Sequence, residues 1–108
     1  MVGDVVLAPF PFTNLQQAKI WPVLVVADVR DGAERDWIVC EITSGRAAHA
    51  REVAIMPGNL QSGQLRRRSS RVRPDRLTTL NEEVFRRTIA RLTDSKTVEM
   101  LASVISLF

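Results

Sequence analysis

The sequence predicts a mainly β fold of the α+β class, a small curled antiparallel β-barrel with a C-terminal helix against it. Three observations point there. Short runs rich in Val and Ile, each too short for a stable helix, recur between Val5 and Thr43. Prolines, glycines and charged clusters separate them. The last segment instead steps through Val98, Leu101, Ile105 and Phe108 by threes and fours, the spacing of a helix.

Taken in order, Val5 to Ala8 is the first strand, stopped at Pro9 and Pro11 because each lacks a ladder N–H. A polar loop with Thr13, Asn14, Gln16, Gln17 and Lys19 follows and ends in Trp21. Pro22 opens the second strand, Val23 to Ala27, where a missing donor costs little. A loop held between two stiff strands is where binding residues are commonly positioned. Arg30 to Asp36 reads as a charged turn, and Trp37 to Thr43 as a largely buried third strand with Trp37 in the core. Ser44 to Ala50 is a polar loop, and the alternation in Arg51 to Pro57 signals a fourth strand. Gly58 to Ser70 loses the apolar pattern and reads as a long loop, extended at Gln64 to Arg67. Arg71 to Leu77 is a short strand interrupted at Pro74. Val84, Phe85, Thr88, Ile89 and Leu92 fall at helical spacing, so pattern alone makes Asn81 to Leu92 a helix. Asp94 or Ser95 can cap the last helix.

A length of 108 residues supports one domain spanning 1–108 with a single core. Hydrophobic content of 45% sets the chain apart from disordered sequences. No apolar run approaches the roughly 20 residues that cross a bilayer, so no membrane association is expected. The start, MVGDVV, lacks the basic and apolar parts of a secretory signal, which makes the cytoplasm the expected compartment. The lone cysteine, Cys40, cannot form an internal disulfide and fits as a small buried hydrophobe. A net charge of +3 favours a polyanionic partner.

Candidate chemistry is sparse. Arg66, Arg67, Arg68, Arg71 and Arg73 crowd one short stretch, with Arg76 close behind. Arginine forks suit phosphate oxygens, although a charge run is also what a solvated loop looks like. One histidine, His49, cannot form a two-histidine acid–base pair, and it reads more readily as a loop residue than as a catalyst. One His, one Cys and scattered carboxylates give no metal-ligand spacing, and no cofactor motif is present. Thr43 and Ser44 end the third strand, where side chains can emerge into a cleft or make ordinary strand-end hydrogen bonds. Trp21, beside the polar loop, can either stack on a nucleobase or cover the barrel edge.

Three stretches together resemble the PemK/MazF toxins. They are Gly3 to Leu7 with Pro9-Phe10-Pro11-Phe12-Thr13 and Lys19-x-x-Pro22-x-Leu24-Val25-Val26; Val39 to Ser44; and Ser70 to Leu77 with Ile89-Ala90-Arg91-Leu92 and the final helix. The resemblance spans essentially the whole chain. It implies the toxin of a bacterial type II toxin–antitoxin system: a homodimeric, SH3-like barrel that cuts single-stranded RNA without a metal and is held by an acidic cognate antitoxin. It also implies a strand, not a helix, over Phe85 to Leu92. The implied reaction is attack of a ribose 2′-hydroxyl on the adjacent phosphate, leaving a 2′,3′-cyclic phosphate. Thr43 matches the family's phosphate-holding threonine. The family's arginine before the second-strand proline is Trp21 here, which has one N–H donor and no charge. Lys19, the nearest cation, becomes the candidate charge beside Thr43, as a point charge or, if buried, in proton transfer, and Arg46 is a second candidate. The expected substrate contacts are Asn14, Gln16, Gln17, Trp21, Ser44, Arg46, Arg66, Arg67, Arg68 and Arg71. A binding module of the same fold that has lost cleavage is the alternative that Trp21 raises.

Overall fold

The computed structural model describes residues 1–10, 19–45, 50–66 and 69–108. Its strands are β1 (Asp4–Phe10), β2 (Lys19–Asp28), β3 (Asp36–Thr43), β4 (Val53–Ala54), β5 (Leu60–Gly63), β6 (Arg71–Asn81) and β7 (Arg87–Leu92), followed by helix α1 (Asp94–Ile105). They form one antiparallel sheet in the order β4-β6-β3-β2-β1-β7-β5, curled into a half-barrel with α1 at the C-terminal end, as the sequence predicts.

Both faces of the sheet are packed. Alternation along β1 sends Val5 to one side and Val6, Ala8 and Phe10 to the other. Val5 joins Leu24, Cys40, Ile42, Val72 and Leu92 in the larger cluster, closed by Met100, Leu101 and Val104 of α1. Val6, Ala8 and Phe10 join Val23, Val25, Val39 and Trp37, with Trp21, Leu80 and Phe85 packed at the margin. Trp37 is core as expected, and its indole N–H donates to Glu82 at 3.0 Å.

Several elements differ from the expectation. β1 runs past Pro9 and β2 begins before Pro22. The reason lies in the ladders: β1 leaves β7 at Leu7–Arg87, and β2 meets β3 only from Val23–Glu41. Residues 8–10 and 19–21 therefore pair with each other alone, as a two-stranded ribbon, where a proline removes no bond on the outer side. The fourth strand shrinks to Val53–Ala54, and the extended piece expected at Gln64 to Arg67 is instead β5, just upstream. Pro74 does not end β6. The ladder steps from Cys40–Leu77 to Glu41–Arg73, so three residues bulge out and carry the proline with them.

Asn81 to Leu92 is not a helix. A short 3₁₀ turn at Glu82–Val84 leads into β7, so the strand implied by the family resemblance is present and the helical spacing misleads. The final helix is present, capped by Thr93 rather than Asp94 or Ser95. Its inward face is Met100, Leu101 and Val104, while Val98 and Ile105 are about two-thirds exposed (67% and 69%). No helix among the described residues is long and apolar enough to cross a membrane.

Candidate functional site

One end of the curled sheet opens into a cavity of about 760 Å³. The ribbon end of β2 supplies Lys19, Ile20, Trp21 and Pro22, and the end of β3 supplies Ile42, Thr43 and Ser44. The chain after β5 adds Gln64, Leu65 and Arg66, and the start of β7 adds Arg87, Thr88 and Ile89. The antiparallel register that pairs Val23 with Glu41 brings the outer ends of β2 and β3 to the same edge, so Lys19 and Thr43 share the cavity although far apart in sequence.

The electrostatics of the lining are one-sided. Among the described residues Lys19, Arg66 and Arg87 line the cavity, and no Asp or Glu does. Elsewhere most of the described arginines are neutralised locally. Arg30 pairs with Asp28, Arg35 with Glu82, Arg71 with Glu52, Arg73 with Asp75, Arg76 with Glu41 and Arg91 with Asp4. Three cations in one concavity, with the hydroxyls of Thr43, Ser44, Ser70 and Thr88 around them, form a field that concentrates anions. The walls of Leu7, Ile20, Trp21, Pro22, Leu65 and Ile89 are apolar and offer flat surface to a planar ring.

Lys19, Trp21, Thr43, Ser44 and Arg66, all singled out from sequence, come together here. Lys19 is exposed, so the role open to it is that of a point charge rather than a buried proton donor. Trp21 is half-buried against the second core cluster and also faces the cavity, so it covers the barrel edge and presents surface at once. Arg71 does not line the cavity. Its guanidinium is held by Glu52 and by the carbonyls of Gly45 and Ser69. Asn14, Gln16, Gln17, Arg46, Arg67, Arg68 and His49 lie outside the described residues. Sequence reading passes over Gln64, Ser70, Arg87 and Thr88. The last two sit in a stretch whose spacing imitates a helix, and only the β1–β7 ladder brings them to this edge. No group of three or more metal-ligating side chains occurs among the described residues.

Comparison with known proteins agrees with this architecture. The family described as PemK-like, MazF-like toxin of type II toxin-antitoxin system matches residues 1–108. No curated protein matches the sequence. Among solved structures, the fold is similar to the Mycobacterium tuberculosis toxin MazF-mt6, with 22% identity, a TM-score of 0.66, and coverage of 96% of this chain and 93% of that one. It is also similar to an endoribonuclease in complex with its cognate antitoxin from mycobacterial species, with 20% identity, a TM-score of 0.68, and coverage of 100% and 96%.

Proposed function

Starting from the fact that this chain belongs to the PemK-like, MazF-like toxins of type II toxin–antitoxin systems, we propose that it is an endoribonuclease that cuts single-stranded RNA in the cation-lined cavity without a metal ion. The observation that carries this reading is the lining itself, three cations and no carboxylate around Thr43 and Ser44 among the described residues. A polyphosphate strand is the ligand such a lining suits, because each phosphate it takes releases condensed counterions.

In the proposed reaction the 2′-oxygen forms a bond to phosphorus and the bond from phosphorus to the 5′-oxygen breaks. The 2′-hydroxyl proton passes to water, and the departing 5′-oxygen takes one up. The products are a 2′,3′-cyclic phosphate and a 5′-hydroxyl. Thr43 holds a phosphate oxygen through its hydroxyl, and Lys19 offsets the growing negative charge. Trp21 supports a base by stacking. The whole chain acts as one toxin domain, working as a homodimer, and an acidic extended segment of a cognate antitoxin blocks the same cavity. The absence of a guanidinium beside Pro22 on β2 favours one other reading, in which the cavity grips RNA and leaves it intact.

The deciding experiment is digestion of a long end-labelled single-stranded RNA in EDTA by the purified protein, with Thr43→Ala and Lys19→Ala in parallel. Discrete cuts with cyclic-phosphate ends, lost in Thr43→Ala and slowed in Lys19→Ala, are expected. RNA that is shifted on a gel but never cut would establish the binding reading instead.

A further inference from the structure

We propose that Arg87, from the first position of β7, supplies the guanidinium that stabilises charge on the phosphorane. This inference rests on the RNA-cleaving reading above. Leu7 in β1 is the residue that makes the connection: it pairs with Pro22 of β2 on one side and with Arg87 of β7 on the other. Directly opposed residues in antiparallel ladders project to the same face. Pro22, Leu7 and Arg87 thus form one row across three strands, and all three line the cavity. Adjacent strands lie about 4.8 Å apart, which puts the Arg87 backbone roughly 10 Å from that of Pro22. An arginine side chain leaning along the row brings its fork over the floor between them.

Placement separates Arg87 from Arg66, and chemistry separates it from Lys19. It is fixed in a strand, whereas Arg66 follows β5 in irregular chain, and groups on strands hold their geometry better than groups on loops. The entry to its strand is fastened by the Arg86 backbone N–H, which donates to the Leu7 carbonyl at 2.7 Å. Like Lys19 and Arg66, it has no carboxylate partner among the described residues, so its guanidinium remains available to an incoming phosphate. Unlike the Lys19 ammonium, it can give two parallel hydrogen bonds to a pair of phosphate oxygens. It takes no proton at any step; the bonds made and broken are those already written, and Arg87 acts by charge and by donation to the non-bridging oxygens.

The test compares Arg87→Ala, Arg87→Lys and Arg86→Ala with the parent protein and with Thr43→Ala. Arg86 is exposed and does not line the cavity, so it controls for loss of a positive charge nearby. Two quantities are read: the single-turnover cleavage rate, and affinity for the same strand carrying a 2′-deoxy sugar at the cut site. Arg87→Ala is expected to slow cleavage by about 10²–10³-fold, with affinity for the uncleavable strand reduced only several-fold. Arg87→Lys should recover a minor part of the rate, and Arg86→Ala should stay within about twofold. A parent that cuts, a Thr43→Ala that does not, and an Arg87→Ala that cuts at the parental rate would overturn the role of Arg87 alone. A parent that cuts no RNA would overturn the cleavage reading and this inference with it.

Discussion

Arg71 ties the start of β6 to the end of β3, its Nη1 donating to the Gly45 carbonyl at 2.9 Å while its Nε donates to Glu52. The Glu52 side chain is only 5% exposed, so the ion pair is largely removed from water and its partner cannot be removed cheaply. Gly45, whose carbonyl Arg71 holds, follows directly on Ser44 of the cavity lining. An arginine that reads in sequence as part of a phosphate-binding run is thus a clamp.

Arg71→Ala leaves the Glu52 carboxylate buried without its counter-charge, a change worth about 3 kcal/mol. Urea unfolding should show a lower midpoint with an unchanged slope. The salt dependence of RNA binding, measured where the variant is still folded, should match that of the parent. Arg66→Ala should behave the opposite way, with stability intact and the slope of log K against log salt smaller by about 0.7, the share of a single neutralised phosphate.

Gly63 ends β5 at φ +77°, and a Cβ there would lie 2.1 Å from the Ile89 carbonyl oxygen and 2.6 Å from Ala90 Cα. Gly63→Ala must push β5 away from β7 and shift Gln64 to Arg66 with it. Destabilisation of about 1–3 kcal/mol is expected from the backbone strain alone, together with weaker RNA binding. Gly32→Ala makes the comparison, since its φ is +58° but nothing lies within 4 Å of the added methyl. It should cost less and leave RNA affinity unchanged. Paired thermal melts and gel shifts of the two variants check both statements.

The fold carries its own pH limits. The Arg35 guanidinium, and next the Trp37 indole N–H, hold the Glu82 carboxyl below its ordinary 4.5. Arg30 holds Asp28 down at about 2. Both groups are depressed in the folded state, so their stabilisation is present above the ordinary carboxylate range and is lost as pH falls below it, for Asp28 toward about 2. Burial, helped by the Asp75 charge, pushes the Cys40 thiol from 9.0 up to about 12. That stabilisation is present below pH 9.0 and is lost as pH rises toward about 12. Urea midpoints should therefore fall at both extremes, with Trp37 emission changing on the acid side. Glu82→Gln should flatten the acid limb, and Cys40 should resist alkylation until the protein is unfolded.

Much of this was legible in the sequence because the first three strands announce themselves. Val-rich runs bounded by prolines and a charged turn have one economical reading, and Trp37 at the head of an apolar run could be placed in the core. What the sequence hid was long-range. Helical spacing in Val84 to Leu92 is a property of that segment alone, and it is overridden by β1, which offers β7 an open edge. Pro9 and Pro22 looked like strand ends because their tolerance depends on which neighbour is missing at that height of the sheet. Thr43, Lys19 and Arg66 could be nominated by residue type; Arg87 could not, since nothing local marks it as sharing a row with Leu7 and Pro22. Arg71 is the opposite case, standing outside the cavity lining because of partners, Glu52 and Gly45, that are invisible to a count of charges.

The pairing of the first strand with the last also sets a timetable for synthesis. Asp4 meets Arg91 at 2.7 Å, 87 residues downstream, and Arg87 and Thr88 reach the cavity only through that closure. A ribosome adding roughly 5–20 residues per second needs about 4–17 s to cover that interval. Until β7 is made the cavity lacks Arg87, Thr88 and Ile89, so the anion-binding wall of a nascent chain is incomplete even after β1, β2 and β3 have been synthesised. Such non-local pairing is also slow to form once the chain is released. On the proposed reading, in which RNA is cut in this cavity and an antitoxin blocks it, a copy becomes competent only once its own synthesis is complete, which gives a co-expressed antitoxin an interval in which to meet it first.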